Sequence, residues 1–309
     1  MRVFSIPMTT PFRGIGAREG VLLRGPCGWG EFSPFPEYPA SVAARWLSAT
    51  VEAATRAWPE ALRLRVPVNV TVPAVGPDQA YAIVAGSGCT TAKVKVAQPG
   101  QAEGDDLARV EAVRDALGPA GRIRVDANAA WDVETATRRI RSLDRFGLEY
   151  VEQPCAELPQ MALLRRRIDV PLAADESVRT AEDPLRIAGL EAADLVVLKV
   201  QPLGGVWAAL RVAERAGLPA VVSSALETSV GIAAGVALAA ALPELPYACG
   251  LATVALLEGD VVTDPLLPED GFLPVRRPEV DADRLSAYEV TGARAAAWER
   301  RFAEAEAAQ

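Results

Sequence analysis

From residue 66 onward the chain repeats one pattern: a short run of β-branched and aliphatic residues, then a longer amphipathic stretch rich in Ala, Arg, Glu and Leu. The apolar runs are VPVNVTV at 66, AKVKV at 92, RIRVDAN at 122, LEYVEQP at 148, PLAADES at 171, DLVVLKV at 194, PAVVSSALE at 219 and PYACGLAT at 246. Short apolar runs separated by helix-length segments predict parallel strands buried on both faces. Eight such units predict an α/β fold closed into a (β/α)8, TIM-type barrel, with an open doubly wound sheet as the alternative. Polar residues at the strand ends recur at intervals of 31, 26, 23, 24 and 24, running from Lys95 through Asp126, Glu152, Asp175 and Lys199 to Ser223. Against the open sheet, no strand–helix junction carries the glycine fingerprint of a dinucleotide site. The nearest glycine cluster, GIGAREG at 14–20, precedes the repeat and reads as a mobile loop over the barrel mouth.

The flanks follow a different pattern. Residues 1–65 predict strand, turn, strand and an amphipathic helix over Pro39–Trp58, whereas 256–309 are Pro- and charge-rich before a final helix over Ala293–Ala308. Neither flank could bury much surface alone. Together they predict a small α+β capping domain (1–65 plus 256–309) over one end of a 66–255 barrel.

Composition narrows the chemistry. With 309 residues, half of them hydrophobic and 23% charged, the chain can bury a large core. A net charge of -8, with no Lys/Arg block interleaved with aromatics, argues against nucleic acid as a partner. No apolar run reaches the roughly 20 residues of a membrane span, and Ala233–Leu242 reads as a buried helix. The N-terminal MRVFSIPMTTPFRG lacks the apolar core of a signal peptide, and Cys27, Cys89, Cys155 and Cys249 stand isolated, which together predict a reducing cytoplasm. The pattern carries no signal for an oligomeric state. The absence of any histidine removes Ser-His-Asp and Cys-His catalysis and histidine-ligated zinc, leaving proton transfer to Lys, Asp, Glu, Tyr or Cys.

In a barrel of this kind the active site lies at the C-terminal ends of the strands. There the sequence places Lys93 and Lys95, Asp126 and Asn128, Glu152, Asp175 and Glu176, Lys199, then Ser223 and Ser224. Any one of the carboxylates alone would read as a helix N-cap or a solvated loop side chain. Lys93 and Lys95 would likewise suit a water-facing strand surface. Three carboxylates at consecutive strand ends, however, repel one another unless a cation sits among them. Oxygen ligands with no His or Cys beside them select Mg²⁺ or Mn²⁺. The expected ligands are Asp126, Glu152 and Asp175, with Glu176 as the alternative to Asp175. Lys95 and Lys199, on strands two and six, flank them from opposite sides, so a small-molecule carboxylate substrate would sit between two amines. A Schiff-base aldolase-type barrel with Lys95 or Lys199 as nucleophile, and a non-catalytic barrel, are the readings from other classes.

The ordered set K-V-K, D-A-N, V-E-Q-P, A-D-E-S and L-K-V resembles the enolase superfamily in its muconate-lactonizing-enzyme-like subgroup. GWGEFSPFPEYP at 28–39 is similar to that superfamily's capping domain. The resemblance implies that Lys95 is the acid/base, that Lys93 lowers its pKa and helps orient it, and that Lys199 and the metal stabilise an enediolate formed next to a carboxylate. Two neighbouring ammonium groups each disfavour the other's charge, which suits a base near neutral pH. The eighth strand end reads Cys249-Gly250-Leu251-Ala252-Thr253 and lacks the acidic D-x-D that dipeptide epimerases use for an ammonium. SSALETSVG at 223–231 followed by CGLAT is most similar to the subgroup's dehydratase of menaquinone biosynthesis. An N-succinylamino acid racemase is the alternative. Asn128, Ser223, Ser224, Gly250 and Leu251 are the expected substrate contacts.

Overall fold

A computed structural model describes residues 1–180 and 185–309. The chain opens with an antiparallel meander of β1 (Arg2–Phe12), β2 (Ile15–Gly25) and β3 (Gly28–Phe32), on which α1 (Ala40–Thr55) packs. The β1–β2 turn, Arg13-Gly14, has φ of 51° and 77°, the left-handed pair that matches hairpin twist. Gly30 is required where α1 crosses β3, because a Cβ there would run into the Thr50 carbonyl oxygen. Residues 15–20, expected as a mobile loop, instead form the first half of β2, paired from Ile15 with Phe12 to Gly20 with Phe4. Their glycines masked a strand whose alternate side chains, Arg18 among them, turn inward.

The repeat then unfolds as expected. β4 (Arg65–Pro67) leads into β5 (Val70–Val72), α2 (Pro77–Ala85), β6 (Thr91–Lys95), α3 (Glu103–Leu117), β7 (Arg122–Asp126), α4 (Val133–Leu143) and β8 (Leu148–Glu152). There follow α5 (Leu158–Arg165), β9 (Leu172–Ala174), α6 (Glu176–Thr180), α7 (Leu185–Gly189), β10 (Leu195–Leu198), α8 (Val200–Leu203), α9 (Val206–Ala216), β11 (Ala220–Val222) and α10 (Ser229–Ala241). The strands β5 to β11 form one seven-stranded parallel sheet in sequence order. Its two edges meet on the Cys249–Gly250 segment, since Cys249 bridges to Val68 and Gly250 to Ser223, both in parallel. This eighth stave closes the ring and excludes the open-sheet alternative. Gly250 is needed because a Cβ would lie 2.5 Å from Ser223 Oγ.

Each stave sends alternate side chains to the two faces. Ala92 and Val94 of β6 join the outer core beneath the helices with Val125, Val151 and Val196, whereas Tyr150, Leu195, Val197 and Val221 fill the barrel interior with Tyr247. The Ala-rich α10 is buried almost throughout because it touches β3 on one side and β4, α9 and β11 on others. Beyond it, β12 (Phe272–Pro274) pairs with β4. The chain then returns to the meander through α11 (Ala282–Tyr288) and α12 (Gly292–Ala307). Trp298 and Ala305 of α12 complete a core with Val3, Val21, Phe32, Trp46 and Leu47. Among the described residues no helix is long and apolar enough to cross a membrane.

Candidate active site

Because β6 alternates, Lys93 and Lys95 share the interior face and both line the cavity at the barrel mouth. Lys93 Nζ donates to both oxygens of Glu152, at 3.1 and 3.0 Å, and lies 3.7 Å from Asp126. Lys95 Nζ donates to Asp126 Oδ2 at 2.5 Å and Asn128 Oδ1 at 2.7 Å. From β10's end, Lys199 Nζ donates to Asp175 Oδ2 at 2.5 Å. In the closed ring three staves separate β6 from β10 in either direction, so the two amines approach from opposite sides. Asp126, Glu152 and Asp175 are all completely buried.

Burial and charge push these groups apart. Burial would raise Asp126, but Lys95 and Lys93 outweigh it and hold the carboxyl well below the usual range. Asp175 is held low in the same way, by Arg179 and Lys199 against burial. Glu152 goes the other way, to about 7, driven by burial and then by the Asp126 charge. The expected mutual depression of the two β6 amines holds on one side only. Lys95 is lowered, chiefly by burial, with Asp126 opposing and Lys93 assisting. Lys93 is raised, because Glu152 and Asp126 together overcome its desolvation.

The backbone around the mouth is strained. Ala97, Asn128, Gln153 and Leu226, which follow β6, β7, β8 and β11, have φ of 60°, 45°, 38° and 67°. Non-glycine residues in this region cost on the order of 1 kcal/mol or more and persist where the surroundings hold them. Gln153 shows how: its Oε1 accepts from the Asp175 and Ser177 amides at 2.9 and 3.2 Å while its Nε2 donates to Ser177 Oγ at 2.7 Å. Sequence reasoning quoted V-E-Q-P but passed over this glutamine, although a buried amide between two strand-end carboxylates was there to be seen. Arg179, another omission, bridges Asp175 and Glu176 and donates to Tyr38 Oη at 3.0 Å.

The cavity encloses about 420 Å³, counting space open to solvent. Asn128, Ser223, Ser224 and Gly250 line it with the lysines. Leu251 does not: it is 1% exposed and its side chain packs against Gly235 in the core, because the chain turns outward after Gly250. A substrate contact by its side chain is therefore withdrawn. In its place, Phe12, Phe35, Ala225 and Leu226 give the cavity an apolar wall, and Arg13 at the hairpin tip adds a cation. No sequence period marked these residues, since they come from the last residue of β1, the turn after it and two irregular connections.

Among the described residues no three acidic or cysteine side chains already converge as a finished cage, because the lysines stand between them. The carboxylate donors nonetheless fit a cation: they are fully buried and offer only oxygen, and burial followed by the Asp126 charge raises Glu152. A hard divalent ion answers that demand.

Residues 77–279 match the family described as Enolase C-terminal domain-like, and residues 3–54 match Enolase N-terminal domain-like. An o-succinylbenzoate synthase of Thermobifida fusca (strain YX) is 66% identical over 99% of this chain and 96% of its own length. An o-succinylbenzoate synthase of Mycobacterium tuberculosis (strain ATCC 25618 / H37Rv) is 52% identical over 92% of this chain and 87% of its own. Among solved structures, muconate lactonizing enzyme from Pseudomonas fluorescens in complex with muconolactone superposes with a TM-score of 0.82 at 24% identity, covering 94% of this chain and 97% of that one. N-succinyl Arg/Lys racemase from Bacillus cereus gives 0.80 at 21% identity, covering 94% and 96%. At these identities the two structures establish the shared barrel-and-cap fold.

Proposed function

The chain belongs to the enolase superfamily, and from that premise we propose that it is a dehydratase that forms o-succinylbenzoate from a hydroxylated cyclohexadiene carboxylate. The observation that carries the reading is a pair of amines, Lys95 and Lys199, facing each other across three buried carboxylates. The 66% identity to an o-succinylbenzoate synthase over nearly the whole chain supports it independently. Asp126, Glu152 and Asp175 would hold a divalent cation, Mg²⁺ or Mn²⁺, which supplies positive charge beside the substrate carboxylate.

Lys95, as the free amine, takes the proton from the carbon next to that carboxylate. Its burial favours the neutral form, and the hydrogen bonds to Asp126 and Asn128 hold its direction. The electron pair left behind forms an enediolate, and Lys199 on the far side supplies a fixed positive charge for it. The pair then forms the third ring double bond as the C–O bond breaks on the neighbouring carbon. Lys95 returns its proton to the departing oxygen, so the products are water and an aromatic ring. Abstraction and return from one face make this a syn elimination. Lys93, bound to Glu152 and 5% exposed, has no path to the substrate except along the cavity wall and serves to order the carboxylates. Phe12, Phe35 and Leu226 provide an apolar surface for the ring.

The test is an assay of the purified chain with this cyclohexadiene and with N-succinylamino acids in D₂O, before and after treatment with EDTA. Chelator-sensitive formation of o-succinylbenzoate is expected. Fast α-deuteration of an N-succinylamino acid with no dehydration would replace the proposal by a racemase.

A further inference from the structure

The glycine-flanked segment at 14–20 holds a side chain that neither the catalytic steps nor the cation site uses. Arg18 of β2 is 1% exposed, and although it belongs to the cap, two of its partners, Ala225 and Leu226, belong to the barrel mouth. Nε donates to the Leu226 carbonyl at 2.8 Å, and Nη2 donates to the Ala225 carbonyl at 3.1 Å, to Ser33 Oγ at 2.9 Å and to the Ser33 carbonyl. The guanidinium carbon also lies 4.6 Å from the centre of the Phe35 ring. Ala225, Leu226 and Phe35 are three of the residues that form the apolar wall of the cavity.

Two features show that this wall needs holding. Leu226 has φ of 67°, a conformation a branched apolar residue does not adopt unaided. Burying a guanidinium is also costly: burial lowers the Arg18 pKa, and the charges of two acids, Glu31 and Glu227, oppose that only in part. Those acids tie down the same connection: Glu227 Oε2 accepts from the Ala225 amide at 2.7 Å, and Glu31 accepts from the Thr228 amide and hydroxyl at 3.1 and 2.6 Å. A planar fork of five donors can meet four acceptors at once, two adjacent carbonyls and the carbonyl and hydroxyl of Ser33, which the three donors of a lysine cannot.

We infer that Arg18 is a positioning residue for substrate recognition: it reaches from the cap to fix Ala225 and Leu226, together with Phe35, as the wall against which the apolar part of the substrate rests. The cap thus shapes the cavity from behind as well as covering it. The inference rests on the proposed dehydratase reading only for its kinetic readout.

The test uses the full chain as Arg18→Lys and as the double variant Arg18→Met/Glu31→Gln, which removes a positive and a negative charge together so that the net charge of the buried cluster with Glu227 is unchanged. In both, amide hydrogen exchange across 223–228 should accelerate about tenfold or more while strands β6 to β10 stay unchanged. KM for the cyclohexadiene should rise about tenfold with kcat kept within about threefold, the signature of lost binding without lost chemistry. Unchanged exchange at 223–228 overturns the inference. So does acceleration spread over all strands with kcat falling at constant KM, since that is what a purely structural arginine would produce. If the unaltered chain fails to turn over the cyclohexadiene, the proposed function fails by itself, and the exchange comparison still decides the role of Arg18.

Discussion

Lys95 Nζ and Asp126 Oδ2 are 2.5 Å apart at the ends of neighbouring strands, so the amine assigned as base leans on a carboxylate assigned to the cation. Replacing Lys95 by Ala removes the group that takes and returns the proton. It should lower kcat by about 10²- to 10⁴-fold. Circular dichroism and melting should stay near those of the unaltered chain, because Lys93 still faces Asp126 at 3.7 Å. Substantial residual dehydration in Lys95→Ala would move the base elsewhere.

The Lys199→Ala variant tests the opposite wall. Losing a fixed cation beside a developing enediolate costs on the order of 3 kcal/mol in a dry site, or about 10²-fold in kcat. In a syn elimination Lys199 transfers no proton, so α-deuteration of the substrate from D₂O should persist in Lys199→Ala and vanish in Lys95→Ala. Loss of exchange in both would show that each amine handles protons.

Cation binding separates Asp175 from its neighbour. Asp175 is fully buried, held by Lys199 and Arg179, whereas the Glu176 side chain is 28% exposed. By calorimetry on chelator-treated protein, Asp126→Asn, Glu152→Gln and Asp175→Asn should each weaken Mg²⁺ or Mn²⁺ binding by at least about tenfold, more than an outer partner such as Glu176→Gln. A larger loss in Glu176→Gln than in Asp175→Asn would exchange the two assignments.

Ligand-dependent protection in the cap should be narrow. Ile15–Gly20 are paired with β1, whereas only the turn at Arg13-Gly14 is free to adjust at the cavity rim. Hydrogen exchange with and without o-succinylbenzoate should therefore differ at 12–14 and remain slow in both states at 15–20. Equal, fast exchange across 15–20 in the free protein would restore a mobile loop.

Glu31 predicts a pH dependence of stability. It is wholly buried, and burial followed by the Glu227 charge raises its carboxyl from 4.5 to about 7. A raised acid binds its proton more tightly when folded, so its stabilising contribution is complete below about 4.5 and is lost as pH rises toward 7. The loss is on the order of 3 kcal/mol. Glu31→Gln should flatten the decline in denaturant midpoint between these pH values. A profile identical to the unaltered chain's would assign the slope to other groups.

Much of this arrangement was legible because barrel geometry converts sequence spacing into position. Once the strands were placed, Lys95, Asp126, Glu152, Asp175 and Lys199 had to surround one mouth, and they do. What escaped was whatever depends on contacts between distant segments. Gly14, Gly16 and Gly20 made β2 look like a loop, although Gly20 is demanded by its closeness to Phe32 at the end of the next strand and to Ser33 just after it. Leu251 was expected beside Gly250 as a substrate contact, but with φ of -109° and ψ of -1° it leads into a 3₁₀ turn and packs its side chain against Gly235. Arg18, Phe35 and Leu226 meet across 17 to 208 positions, as their numbers show, and no local pattern announces such a meeting.

The ring closes on Cys249 and Gly250, which bond to Val68 and Ser223, and the sheet of the cap is finished by Trp298 and Ala305. The earliest strands are thus the last to be completed. During synthesis Val3, Val21 and Phe32 emerge first and must wait for nearly the whole chain before their apolar face is covered, and the first stave waits for the eighth. Contacts so distant in sequence slow folding and prolong the exposure of sticky surface. A ribosome-bound fragment ending before residue 249 would carry two unpaired sheet edges, so the nascent chain's demand for chaperones should peak in the interval before the barrel's final stave is released.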